Sequence, residues 1–245
     1  MGHAPTPARE CGSPVIVRAV ILDFDYTLAD SSQGTIRCIN HALVGLRLPP
    51  TTPEMAKQTI GLSLPDTLTF LVGAPSPSQV ERFTRLFLEM SERVMVAQTV
   101  LLPGVSDAMA QLRRRCLSLA IVSTKYRRRI EAVLEREGLY NMFEVVIGGD
   151  DVAQPKPAPE GLLLAASRLG LEPAYCLYVG DSLTDAEAAR RAGMPFIATL
   201  SGVTLPDALA AYQPLGLIPD VGALPTWLSE QQIDLCAPKT ECANQ

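Results

Sequence analysis

The chain has 245 residues, 47% of them hydrophobic and 19% charged, with a formal net charge of −5. That size holds one large domain or a core domain with a smaller companion, and the acidic balance gives no support to a nucleic-acid partner, whose phosphates call for a basic surface. No apolar run approaches the ~20 residues of a membrane span. With only two histidines, His3 and His41, there is little material for a histidine-based triad or a multi-histidine zinc site.

Residues 1–14 carry proline and alanine without the apolar stretch of a secretory signal, and are expected to be a flexible tail. The apolar run Val15 to Leu22 reads as a strand that delivers Asp23 and Asp25 at its end, with Thr27 just beyond. Residues two apart on an extended chain share a side. Two adjacent acids repel, so the pair calls for a bound divalent cation or a division into nucleophile and proton donor. An Asp-rich turn is the plain alternative.

The interval from about Ser31 to Leu102 shows helical patterns at Thr35 to Leu46, Leu64 to Leu71 and Gln79 to Val96, and no convincing strand. Prolines and glycines punctuate it, and Pro103-Gly104 marks its end. It reads as a helical insertion, 31–102, within a core made of 15–30 and 103–228. His41 falls on one of its helix faces.

Beyond it, strands alternate with helices. The strands are Leu117 to Val122, Phe143 to Ile147, Cys176 to Val179 and Phe196 to Leu200; the helices are Val105 to Arg115, Arg127 to Glu137, Glu160 to Leu169 and Asp185 to Ala192. That alternation predicts an α/β fold, a Rossmann-like parallel sheet flanked by helices. The arginine clusters 113–115, 127–129 and 190–191 read as solvated helix faces. Residues 229–245 are polar and expected to form a loosely ordered tail. Six scattered cysteines without a C-x-x-C pair suit a reducing, cytoplasmic setting, with Cys116 and Cys176 as apolar free thiols.

Ligands of open α/β sheets bind at the carboxyl ends of strands, and three later segments put polar groups there. Ser123-Thr124-Lys125 offers a hydroxyl and backbone N–H groups suited to an anion, though capping alone would explain it. Lys156, between Pro155 and Pro157, is a cation on a stiff turn. Gly180-Asp181-Ser182-Leu183-Thr184-Asp185 brings two more acids, one of them suited to opening a helix.

The order of these segments resembles the haloacid dehalogenase-like hydrolases. The match is D-x-D-x-T-L at Asp23 to Leu28, the strand-end Ser123, K-P-x-P-E at Lys156 to Glu160 and G-D-S-x-x-D at Gly180 to Asp185. It spans roughly Val15 to Val203, and looks most similar to the phosphoglycolate phosphatase-like branch with an α-helical cap. One departure is Tyr26, where the family often has glycine; it is a candidate for narrowing the pocket.

The resemblance implies Asp23 as nucleophile, forming an aspartyl-phosphate, and Asp25 as the acid and then the base. It implies Mg²⁺ held by Asp23, the Asp25 backbone carbonyl and Asp181, with Asp185 in support. Lys156 would screen charge, Ser123 and Thr124 would hold phosphate oxygens, and Thr27 and Lys125 would help bind substrate. The insertion would act as a lid whose specificity loop is Ile60 to Leu64, around Gly61, with hinges near Ala29 to Ser32 and Val100 to Pro103. The partner would be a small phosphorylated metabolite or pyrophosphate, acted on by a monomer or homodimer, without membrane or nucleic acid.

Asp25 argues against carbon–halogen and phosphonate cleavage within that family. A phosphosugar mutase keeps Asp25, but such mutases look to carry an arginine in the loop that here reads Gly61-Leu62-Ser63-Leu64. A non-catalytic phosphate-binding module would make the full acid–lysine set unnecessary. No G-x-G-x-x-G follows the first strand, which sets aside a dinucleotide-dependent oxidoreductase.

Overall fold

The computed structural model describes residues 16–231 and 233–235. The expected first strand is two: β1 (Ile16–Val17) and β2 (Ala19–Leu22) separate at Arg18, whose guanidinium lies over the Tyr175 ring. The short β3 (Ala29–Asp30) follows the Asp-bearing turn and leads into the helical unit. That unit holds α1 (Ser32–Gly45), α2 (Pro53–Lys57), α3 (Leu64–Val72) and α4 (Pro77–Val94). Ser63 and Ser76 cap α3 and α4, and each is followed by proline in the first turn, where its missing N–H costs nothing.

The chain returns through β4 (Val100–Leu101), a strand inside the interval expected to have none. It pairs antiparallel with β3, so the two crossings between helical unit and sheet are stitched together at the positions read as hinges.

Next come α5 (Val105–Arg114), β5 (Ser118–Val122), α6 (Arg127–Arg136), β6 (Val145–Ile147), α7 (Glu160–Arg168), β7 (Cys176–Gly180), α8 (Leu183–Ala192) and β8 (Phe196–Thr199). Three further elements escaped the sequence reading: α9 (Pro206–Ala210), β9 (Gly216–Ile218) and α10 (Leu224–Glu230).

The main sheet is parallel throughout, in the order β6-β5-β2-β7-β8-β9. Being covered on both faces, its strands are apolar without alternation, as parallel strands are. One face packs Leu22, Ile121 and Val179 against α5, α6 and α10; the other packs Ile21, Tyr178 and Ala198 against α7 and α8. Chain order runs from β2 out to β5 and β6 on one side and then from β7 to β8 and β9 on the other, so the switch point lies between β2 and β7. The helical unit has a core of its own, with Ile39, Leu43, Leu68, Phe83 and Phe87.

Part of the expected C-terminal tail, 229–245, belongs to the fold: Ser229 and Glu230 end α10. β10 (Asp234–Leu235) pairs in parallel with β1, and Leu235 packs against the core, so burial overrides the polar local sequence there. Most of that stretch, 236–245, and the expected N-terminal tail, 1–14, lie outside the described residues. Cys116 is disulfide-bonded, which corrects its reading as a free thiol. Cys38 and Cys176 are free and buried, and burial pushes each thiol up to about 12.

Candidate active site

Asp23 follows the last residue of β2, Ser123 the last of β5, and Asp181 the last of β7. Register fixes them side by side, because Leu22 pairs with both Ile121 and Val179, and the Asp23 N–H donates to the Val179 carbonyl at 2.9 Å. All three are buried.

Lys156 reaches the same edge from the loop between β6 and α7. Its Nζ lies 2.9 Å from Asp23 Oδ1, 2.6 Å from Asp185 Oδ1 and 3.0 Å from the Tyr178 hydroxyl. The contact with Asp23 is one of charge rather than a well-aligned hydrogen bond, and Oδ1 of Asp23 has no directed donor among the described residues. Asp185 is fully enclosed. Tyr178 donates to its Oδ1 at 2.6 Å, and the Ser182 N–H and hydroxyl donate to its Oδ2. Ser182 is the cap of α8, and Asp185 stands at the third helical position of a reciprocal capping box rather than opening the helix itself.

Carboxylate oxygens of Asp23, Asp181 and Asp185 lie within 4.8 Å of one another. Against three acids stands one lysine, and the charges shift accordingly. Burial, with its neighbours Asp185 and Asp25, pushes Asp23 up to about 7, although Lys156 opposes the shift. Burial and the two neighbouring acids raise Asp181 well above its ordinary range. Asp185 is pressed upward by burial too, yet Lys156 and the donors from Ser182 and Tyr178 overcome this and hold it low. Burial alone would lower Lys156, but Asp185 and Asp23 raise it, so it stays charged.

Asp25 points elsewhere. Its Oδ2 lies 3.0 Å from Lys125 Nζ, and its Oδ1 accepts from the Ser31 hydroxyl at 2.5 Å. Lys125 also donates to Ser31 at 3.2 Å. The two acids that share a side of the sequence motif therefore serve separate neighbourhoods. Tyr26, between them, adopts the left-handed backbone (φ 59) that glycine takes without strain, and Ser201 holds its carbonyl at 2.5 Å. Its side chain is buried and is not among the residues that line the cavity.

Thr27 requires a correction. It is fully buried, and its hydroxyl donates to Asp181 Oδ1 at 3.3 Å, so it positions an acid and does not face a substrate. Thr124, Lys125 and Gly61 do line the cavity that opens above the sheet edge, together with Asp25 and the rest of the Ile60 to Leu64 loop. Ser123 sits beneath them and accepts from the Lys125 N–H at 3.3 Å.

Several site residues have no motif to announce them: Ser31, Tyr178, Gly149 and Gly202. A Cβ on Gly149 would stand 2.3 Å from the Thr124 carbonyl, and one on Gly202 would stand 1.9 Å from Asp181 Oδ2. Glycine is required at both by close approach. Arg129 also overturns its reading as a solvated arginine. It is 6% exposed and ion-paired to Glu92 of α4, whereas Arg128 is exposed as expected and Arg127 is half-buried, paired to Asp151 at 3.4 Å. His41 lies exposed on α1.

An open parallel sheet with an aspartate following its middle strand, answered by a lysine from the β6–α7 loop and by two more acids, one at the end of β7 and one in the first turn of α8, defines a hydrolase class that sequence similarity now names. The family model of the haloacid dehalogenase-like hydrolases matches residues 20–199, and the chain belongs to that family, on its phosphatase side. Phosphoglycolate phosphatase of Salmonella typhimurium is 35% identical over 219 residues, covering 81% of this chain and 87% of the relative; that of Escherichia coli O157:H7 is 33% identical over the same span. Among solved structures, a haloacid dehalogenase-like hydrolase from Bacteroides fragilis superposes with a TM-score of 0.82 at 37% identity, covering 85% of this chain and 99% of that one. A hydrolase from Pseudomonas syringae gives 0.73 at 26% identity, covering 87% and 98%.

Proposed function

We propose that the protein is a Mg²⁺-dependent phosphatase that hydrolyses a small phosphate monoester of the phosphoglycolate kind through an aspartyl-phosphate on Asp23. The observation that carries this reading is the position of Asp23: at the end of the middle strand, beside a charged lysine, in a group of three buried carboxylates. The imbalance of three acids against Lys156 suits a divalent cation, and all the donors are hard oxygens, as Mg²⁺ prefers. Asp23, Asp181 and the Asp25 carbonyl would hold it, and it would offset the charge of an approaching phosphate. With both carboxylate oxygens already engaged, Asp185 supports the site by fixing Lys156.

In the first step a carboxylate oxygen of Asp23 attacks phosphorus, the ester P–O bond breaks, and Asp25 gives its proton to the departing alcohol. In the second, Asp25 takes a proton from water as the water oxygen attacks the same phosphorus, releasing phosphate and restoring Asp23. Lys125 and Ser31 keep the Asp25 carboxyl on the cavity side. Ser123 and Thr124 hold the non-bridging oxygens. The helical unit acts as the cap that excludes water during turnover.

Phosphate release from a panel of small phosphates, with and without Mg²⁺, tests this in the native chain and in Asp23→Asn. Metal-dependent release that the substitution abolishes is the expected result. No release from any member, with both chains binding phosphate equally, would sink it.

A further inference from the structure

The cavity above the sheet edge has a volume of about 250 Å³, and much of its wall is uncharged: Ile39, Ile60, Leu62, Leu64, Phe87 and Leu88. Two cations reach it, Lys125 and Arg129. Lys125 is engaged by Asp25. Arg129 is differently placed. It is more than nine-tenths buried, one terminal nitrogen donates to Glu92, and its Nε is buried with no hydrogen-bond partner among the described residues. Buried guanidinium donors are ordinarily satisfied.

Glu92 does not neutralise the spot. Arg128 grips the same carboxylate through both its terminal nitrogens, which leaves two guanidinium groups on one acid. Arg129 also stands in the first turn of α6, where the helix dipole adds positive character, and its guanidinium lies over the Tyr126 ring, 5.0 Å from the centroid. The result is a fixed, partly unanswered cation in a wall whose other charged residues, Lys125 and Asp25, are paired with each other. An anion is the group that answers it.

We infer that Arg129 recognises a second anionic group on the substrate, carried by the alcohol that leaves as the phosphate ester is cleaved. The substrate class is then a small phosphate monoester bearing a carboxylate or a second phosphate. This deepens the phosphatase reading and rests on it. Glu92 holds Arg129 in place and competes mildly for its charge.

The test measures binding and so does not depend on turnover. In the Asp23→Asn chain with Mg²⁺, Kd is measured by calorimetry for 2-phosphoglycolate, ethylene glycol bisphosphate and ethyl phosphate. The two doubly functional ligands should bind more tightly than ethyl phosphate, and their order tells carboxylate from phosphate. Adding Arg129→Met should weaken them roughly 10- to 100-fold, the range of a hydrogen bond to a charged group, while leaving ethyl phosphate unchanged. Arg129→Lys should recover part of the loss, and Glu92→Gln should leave or improve their binding. Equal weakening of all three ligands would show Arg129 to be only a tie between α6 and α4. No preference for the second anion before substitution would overturn the inference as well. Failure of the phosphatase reading would appear separately, as absence of phosphate release from the native chain whatever these affinities are.

Discussion

Along the sheet edge nearly every polar atom is answered by another: Lys156 by Asp23 and Asp185, Asp185 by Tyr178 and Ser182, Thr27 by Asp181, Asp25 by Lys125 and Ser31. The helical wall that faces it is mostly apolar, and its loop from Ile60 to Leu64 offers the cavity a single side-chain hydroxyl, Ser63. Ser63 is itself engaged with Asp66. The edge is built to fix charge, where a displacement of one group unbalances the rest. The wall is built to accept a shape. Changes at the edge should therefore strike rate and stability, and changes in the wall should strike KM.

The largest effects fall on the two motif aspartates. Asp23→Asn should reduce phosphate release to background, and Asp25→Asn should lower kcat by about 10²- to 10⁴-fold, the usual worth of a positioned acid–base group. Single-turnover assays separate the two, because only the second should still accumulate phosphoenzyme. Equal, modest losses would break the division of labour between the acids.

Lys156→Met removes the one cation among three buried acids. Without metal it should cost roughly 3–5 kcal/mol of stability, as removal of one partner of a buried pair does, read as a lower denaturation midpoint. Added Mg²⁺ should recover part of it. A wild-type midpoint would mean that the edge is less coupled than its geometry indicates.

Gly202→Ala probes the same edge from outside the motifs. The new Cβ would meet Asp181, so Mg²⁺ activation should need roughly 10- to 100-fold more metal, the scale seen when support of a ligand is disturbed. Titration of activity against Mg²⁺ measures it.

A pH series sharpens the comparison further. In EDTA the Asp23 carboxyl stays protonated up to about pH 7, above its ordinary value near 4, so the folded chain binds more protons than the unfolded one in between. Stability of the metal-free chain should then fall as pH rises through that window and level off above it. Asp185, held low, gives the opposite slope only below its ordinary value. Thermal melts at pH 5 and 8 show the sign, and Mg²⁺ should raise the midpoint more at pH 8. A metal-free midpoint that climbs from pH 5 to 8 contradicts this.

Smallest is Leu62→Ala in the wall. Loss of its apolar contact, about 1 kcal/mol at most, should raise KM a few-fold and leave kcat unchanged. A fall in kcat instead would make the wall part of the chemistry.

The edge was legible because each of its residues sits next to a strand that announces itself. Asp23, Ser123 and Asp181 each follow an apolar run, and the alternation of runs dictates that their ends meet. The partners of those residues were not legible. Thr27 and Asp181 are 154 positions apart, and nothing near Thr27 tells that its hydroxyl turns to an acid rather than to a substrate. Arg129 stands in a run of three arginines whose local pattern is that of a solvated face; only α4, folding back with Glu92, buries it.

By itself, then, the sequence determined the parallel α/β core, the helical interruption and the four segments that meet at one edge, since these follow from hydrophobic periodicity and from residues adjacent in the chain. Tertiary structure alone decided the pairing of β1 with β10, the ties of Lys125 to Asp25 and of Thr27 to Asp181, the need for glycine at 149 and 202, and the burial of Arg129. Each of these depends on how closely residues distant in sequence approach, and periodicity carries no information about that distance.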